Sequence, residues 1–194
     1  MKKIVFLILF VSAVFVSHSQ DYTDTTKYII YSDTMNITWN DFRGEISTDF
    51  ARTYSEVSMQ AVMNECELTY EIMSVMVKDR SRQLKDHQEK ELLVHEITHF
   101  KITEVYTRKM RKEIDSLTAL PLEKVKEQVS AIFRKYLKEA KEFQNKYDDE
   151  TQHSVIREKQ IEWEKRVDEM LEELKAYSDT HVTVPLKCKK RKNQ

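Results

Sequence analysis

Glycine is nearly missing from this chain. Gly44 is the only one in 194 residues, and Pro121 and Pro185 are the only prolines. So few helix breakers allow few tight turns, and long helices are expected over at least half of the chain. An excess of charge of either sign is missing as well: 32 Lys and Arg stand against 33 Asp and Glu, a formal net charge of −1. That balance offers no global electrostatic basis for nucleic-acid binding. Cysteine is limited to Cys66 and Cys188, so at most one internal bridge can form. Charged residues as a class are abundant, at 34%, and aromatics, at 10%, suffice to build a core, which excludes a disordered composition. The length suits one domain, or one domain with a short appendage.

Long apolar runs are also scarce. The one present, Ile4 to Val16, is short for a membrane span. It follows Lys2 and Lys3 and precedes the small residues Ser17 and Ser19, which is the order of an export signal. Cleavage is expected after Ser19 or Gln20. Residues 1–20 are then a signal peptide, and 21–194 form a single secreted or periplasmic domain with no stable membrane anchor. No Cys follows the apolar run, which argues against a bacterial lipid anchor. Export places the chain where disulfides persist. Cys66 and Cys188 are therefore expected to pair and tie the C-terminal tail to the sheet, with two free thiols as the alternative.

Periodicity divides the mature chain into an α+β order, with strands over about 28–78 and helices over about 87–177. Tyr28–Tyr31 and Ile37–Trp39 read as short strands. The lone Gly44, after Trp39 and Phe42, marks a turn that needs positive φ or a close backbone approach. Thr53–Met63 and Leu68–Val77 alternate as an antiparallel hairpin around Asn64–Glu67, with a register slip expected near Ser74. Three helices follow, forming with the hairpin a small sheet backed by three long helices. The first runs from about His87 to Ser116. The second starts near Pro121 and carries Leu122, Val125, Val129, Ile132, Tyr136, Ala140, Phe143 and Tyr147 at spacings of three and four. The third is expected to start near Asp149, where Gln152 completes a capping-box pattern, and to carry Ile156, Trp163, Val167, Met170, Leu174 and Tyr177. His181–Val184 reads as an edge strand, and 186–194 as a basic tail.

The first helix contains His95, Glu96 and His99 in the order HExxH. On a helix the two histidines lie one turn apart and point the same way, so they can hold one Zn²⁺ from one side. Glu96 then lies where it can act as general base on water at that metal. A catalytic zinc normally takes three protein ligands. Glu104 is a poor third, because five residues turn it by about 140° from His99 and carry it about 7.5 Å along the axis. The extended HExxHxxGxxH form is absent, since Ile102 and Val105 stand at its Gly and His positions. The third ligand must come from another element. His153, in YDDETQH, is the leading candidate, with a carboxylate such as Glu142 or Asp148 as the alternative. Tyr147, Asp148 and Arg108 are candidates for transition-state or supporting roles.

The combination resembles a bacterial family of exported, zinc-dependent protease-like proteins, domain-of-unknown-function family 922. The shared features are Trp39, Asp41, Phe42 and Gly44 in WNDFRG; Thr53 in ARTYS; HEITHF; ITEVYTRKMRKE; YDDETQH; and Gln160 with Trp163. Ser154 stands where the family tends to have Gly, and Lys101 where it tends to have an acid. The resemblance implies His95, His99 and His153 as metal ligands and Glu96 as catalytic residue. The function expected is a zinc metallopeptidase acting on a peptide or protein. Two alternatives stand beside it. One is a non-catalytic envelope binding or scaffold protein whose metal is structural or absent. The other is a di-iron carboxylate protein built on Glu96-x-x-His99 and Glu150-x-x-His153.

Overall fold

The computed structural model describes residues 21–188; residues 1–20, where the export signal is expected, and the last six residues of the basic tail lie outside the described residues. The architecture is α+β. A small antiparallel sheet of β1 (Tyr28–Ile30), β2 (Ser55–Asn64), β3 (Glu67–Val77) and β4 (His181–Pro185) is followed along the chain, β4 apart, by α1 (Lys90–Asp115), α2 (Leu122–Thr151) and α3 (Arg157–Glu173). β3 is the central strand. β2 pairs along one side of it, while β1 and β4 share the other, each covering a different part of its length.

The hairpin ladder runs from Ser55↔Met76 to Asn64↔Glu67 without a bulge. The slip expected near Ser74 is therefore absent. Ser74 keeps the core-facing register because its hydroxyl is satisfied there, donating to Glu104 Oε2 at 2.8 Å and sharing a 2.8 Å contact with Thr107 Oγ1. The strand expected over Ile37–Trp39 is also absent; Trp39–Asp41 forms a 3-10 turn closed by Asp41, whose carboxylate accepts from the Thr38 N–H. Gly44 meets the second of its two expectations, close approach. A Cβ there would lie 2.9 Å from the Ser81 carbonyl oxygen.

The helices form because their apolar residues recur at three and four. Met110, Ile114, Val125, Val129 and Ile132 pack on Leu68, Tyr70, Ile72, Val182 and Val184 of the sheet. Ile102, Tyr106, Ala140, Tyr147, Trp163, Val167 and Leu171 join α1, α2 and α3. The third helix begins eight residues later than expected. α2 runs on through Asp149 to Thr151, and the chain then turns through Gln152, His153 and Ser154, all at positive φ. The capping-box pattern at Asp149 is thus a chance match inside a continuous helix.

α1 is anchored by a buried ionic network rather than by apolar contact alone. Glu104 Oε1 accepts from Arg108 Nε at 2.9 Å and from Arg111 Nη1 at 3.0 Å. Arg108 also donates to the Leu171 carbonyl and to Asp33, and Arg111 to the carbonyls of Ile72 and Tyr177. These bonds join α1 to β3, to the end of α3 and to the loop after β1. Arg108 is thereby committed to the core and is not available for the transition-state role expected of it. Cys66 and Cys188 are bridged, with Cα atoms 5.7 Å apart, closing the chain end onto the hairpin turn.

Two stability outcomes follow. Glu104→Ala leaves two buried guanidinium groups short of their common acceptor and should lower unfolding free energy by about 3–5 kcal/mol in urea titration. Cys66→Ser opens a loop of 122 residues and should cost about 2–5 kcal/mol by the same measurement.

Candidate metal centre

The face of α1 turned toward α2 and α3 carries His95, His99, Ile102 and Tyr106, at spacings of four, three and four. The last two turns of α2 lie opposite and present Gln144 and Asp148, also one turn apart. Three donor atoms converge between the helices. His95 Nε2 and His99 Nε2 are 3.2 Å apart, and Asp148 Oδ1 lies 3.2 Å from the first and 2.9 Å from the second. Among the described residues these three side chains form the group of His, Cys, Asp and Glu placed to hold a metal ion.

The outer nitrogen of each imidazole is held by a glutamine. His95 Nδ1 is 3.1 Å from Gln160 Oε1, and His99 Nδ1 is 3.2 Å from Gln144 Oε1. The orientation of the Gln160 amide is fixed by its other partner. Its Nε2 donates to the Glu164 carboxylate at 3.0 Å and to the Tyr147 hydroxyl at 2.6 Å. A carboxylate can only accept, so the amide oxygen must face His95, and His95 Nδ1 must carry the proton. Gln144 is placed likewise beside His99, with its Nε2 toward the Thr103 hydroxyl at 3.4 Å. With Nδ1 protonated, His95 Nε2 turns its lone pair inward, and His99 Nε2 faces the same point. This is the usual way a neighbouring group fixes the tautomer of a metal-ligating histidine.

Three electron-pair donors at this separation repel one another unless a positive charge lies among them. Burial pushes the Asp148 carboxyl up, but the two imidazoles outweigh it and hold it well below the usual carboxylate range. Burial opposes charge on His99 too, yet Asp148 and the nearby Glu96 raise its pKa above the ordinary value.

Glu96 is buried at the side of the cluster. Its carboxylate accepts a short hydrogen bond from the Thr53 backbone N–H, and the Thr53 hydroxyl donates to the Glu96 carbonyl at 2.8 Å. Thr53 thus clasps Glu96 from the chain just before β2. Tyr147 lies fully buried, stacked on the His95 ring with centroids 4.6 Å apart. Burial pushes its phenol well above its ordinary pKa. Its hydroxyl serves Gln160 and the His95 carbonyl, so it supports His95 and does not face the cleft.

His153 stands on the exposed side. Its Nδ1 is 3.4 Å from Asp148 Oδ1 and its ring centroid is 6.2 Å from that of His95. It reaches Asp148 but is outside the group of convergent donors. Three successive left-handed residues hold it there, and Ser154, at φ 75°, stands where glycine would carry no strain. Glu142 is exposed and paired with Lys138. The cluster opens into a cleft of about 970 Å³ between β2 with its preceding segment and α2, lined by His95, Glu96, His99, Asp148 and His153 among others.

Sequence reasoning gives Gln144, Gln160 and the Thr53 clasp on Glu96 no role at the site. The available signals were a polar Gln160 on the same helical stripe as Trp163 and Val167, and the one-turn spacing of Gln144 and Asp148. Thr53 and Gln160 are also marked by the family resemblance, while the bond from the Thr53 backbone N–H to the Glu96 carboxylate leaves no side-chain pattern of its own.

A family model described as a bacterial protein of unknown function, DUF922, matches residues 23–154. Searches of curated proteins and of solved structures returned no match. The matched span ends just after His153, so α3, which supplies Gln160, lies beyond it.

Gln160→Leu should leave the fold intact and weaken binding of added Zn²⁺ by about 10- to 100-fold, because His95 loses the bond that fixes its tautomer. Competition against a chromophoric chelator reads this directly. Unchanged affinity would remove Gln160 from the site.

Proposed function

We propose that this chain, which belongs to the bacterial DUF922 family, is a zinc-dependent hydrolase that cleaves peptide bonds outside the cytoplasm. The observation that carries the reading is the convergence of two imidazole nitrogens and a carboxylate oxygen beside a buried, clasped glutamate in an open cleft. Two histidines and one carboxylate are a donor set of catalytic zinc sites, which keep a further position open. Zinc held by His95, His99 and Asp148 would supply Lewis acidity and lower the pKa of a coordinated water.

The protein supplies the rest. Glu96 takes the proton of the attacking water and returns it to the leaving amine. The Thr53 N–H keeps the Glu96 carboxylate aimed for that transfer. Gln144 and Gln160 keep both ligand lone pairs inward. Asp148, rather than His153, takes the third ligand place in this reading, because its oxygen is already between the histidines.

The di-iron alternative has less support. Glu150, which it requires as a ligand, accepts from the Trp163 indole N–H at 2.8 Å and pairs with Lys146 at 3.6 Å. A non-catalytic role is separated by turnover alone.

Metal analysis of the purified mature chain tests the assignment. Wild type should carry one zinc, and His95→Ala, His99→Ala and Asp148→Ala should lose it. His153→Ala should retain it; loss there would transfer the third ligand to His153. Glu96→Gln should keep zinc and lose on the order of 10²–10⁴ in turnover. Zinc binding with no hydrolysis by wild type would favour the scaffold alternative.

A further inference from the structure

The cleft has one wall made of unpaired backbone. β2 is hydrogen-bonded to β3 alone, so its other edge is free along its length among the described residues. The parity of that edge follows from the ladder. Val77 N–H donates to the Tyr54 carbonyl, while Ile72 N–H and the Ser74 carbonyl bond to the far side of β3. Even-numbered β2 residues therefore face β3, and in an antiparallel pair the odd ones turn both N–H and C=O outward. Ser55 and Val57 are the outward-facing residues that line the cleft, and they follow directly on Thr53, which holds Glu96. Their outward groups repeat at about 6.6–6.8 Å, the two-residue repeat of an extended chain.

The rest of the lining is suited to side chains from such a chain. Phe50 and Leu137 are exposed by 49% and 41% and line the same cleft as Leu84 and Leu92. Large apolar groups exposed in a cleft mark a binding surface more often than a random surface position. An exposed strand edge beside a reactive centre recognises main chain through its hydrogen bonds, and alternate side chains through its pockets.

We propose that the free edge of β2 at Ser55 and Val57 docks an extended polypeptide as an added strand, seating large apolar side chains against Phe50 and Leu137. This deepens the hydrolase reading by naming the substrate: an unfolded or locally extended protein segment, not a folded surface or a small amide. A strand docked there shares the cleft with the donor cluster and runs beside Thr53, which holds Glu96.

The test uses a fluorescein-labelled peptide, acetyl-Lys-Ala-Leu-Phe-Leu-Ala-Lys-amide, and zinc-loaded mature protein carrying Glu96→Gln so that the probe persists. Two further peptides of the same sequence carry N-methyl groups on alternate backbone amides, one on each phase. An edge strand offers hydrogen bonds to one phase only. Fluorescence anisotropy should show the parent peptide binding, one methylated phase weakened by at least about 10-fold, and the other close to parent. Equal affinity of both phases, equal loss in both, or no binding of the parent overturns the docking assignment. Hydrolysis of the parent peptide by wild type is measured separately. Absent hydrolysis with the phase pattern intact sinks the hydrolase reading and leaves the docking strand standing, while hydrolysis without the pattern does the reverse.

Discussion

Two imidazole nitrogens and a carboxylate oxygen lie within 3.2 Å of one another between α1 and α2. Each has a lone pair directed at the others, and a cation is the natural occupant of such a point. The surrounding side chains enforce this arrangement. Glu164 orients the Gln160 amide, Gln160 orients His95, and Gln144 orients His99. Tyr147 stacks on His95 and closes the space behind it. The site is thus an acceptor cluster built by three helices, not a pair of histidines on one.

The fold holds those helices in register through polar contacts that the interior rarely tolerates. Glu104, Arg108 and Arg111 are buried, and each polar end finds a partner on β3, on the end of α3 or on the loop after β1. Buried charges persist only when paired and hydrogen-bonded in this way. The network lies on the same helix as His95 and Glu96, two to four turns further on. It fixes the rotation of α1 between sheet and helices, and so decides which face presents the histidines to α2 and which presents Glu96 to Thr53.

Much of this was legible in the sequence. The scarcity of glycine and proline pointed to long helices, the alternation around Asn64–Glu67 to a hairpin, and HExxH to a helical face on α1 that gathers His95 and His99. Failures came where local pattern competed with tertiary satisfaction. Ser74 reads as a break in the strand, yet Glu104 and Thr107, distant in sequence, satisfy it. Asp149 reads as a helix start, but α2 continues because Tyr147 and Thr151 remain on its buried stripe. Arg108 lies near the motif in sequence, and its side chain turns to the opposite, ionic face. His153 and Asp148 sit five residues apart at the end of one helix, and spacing alone could not tell which reaches the histidines. That choice depends on a left-handed turn through three residues, none of them glycine, which propensity does not anticipate.

X-ray absorption spectroscopy at the zinc edge, on mature protein dialysed to constant metal content, tests the central claim most directly. The account predicts one zinc per chain with nitrogen and oxygen neighbours at about 2.0–2.1 Å, and an outer-shell signal from two imidazoles. A spectrum with no imidazole signal, with sulfur neighbours, or from metal that dialysis removes altogether would contradict it.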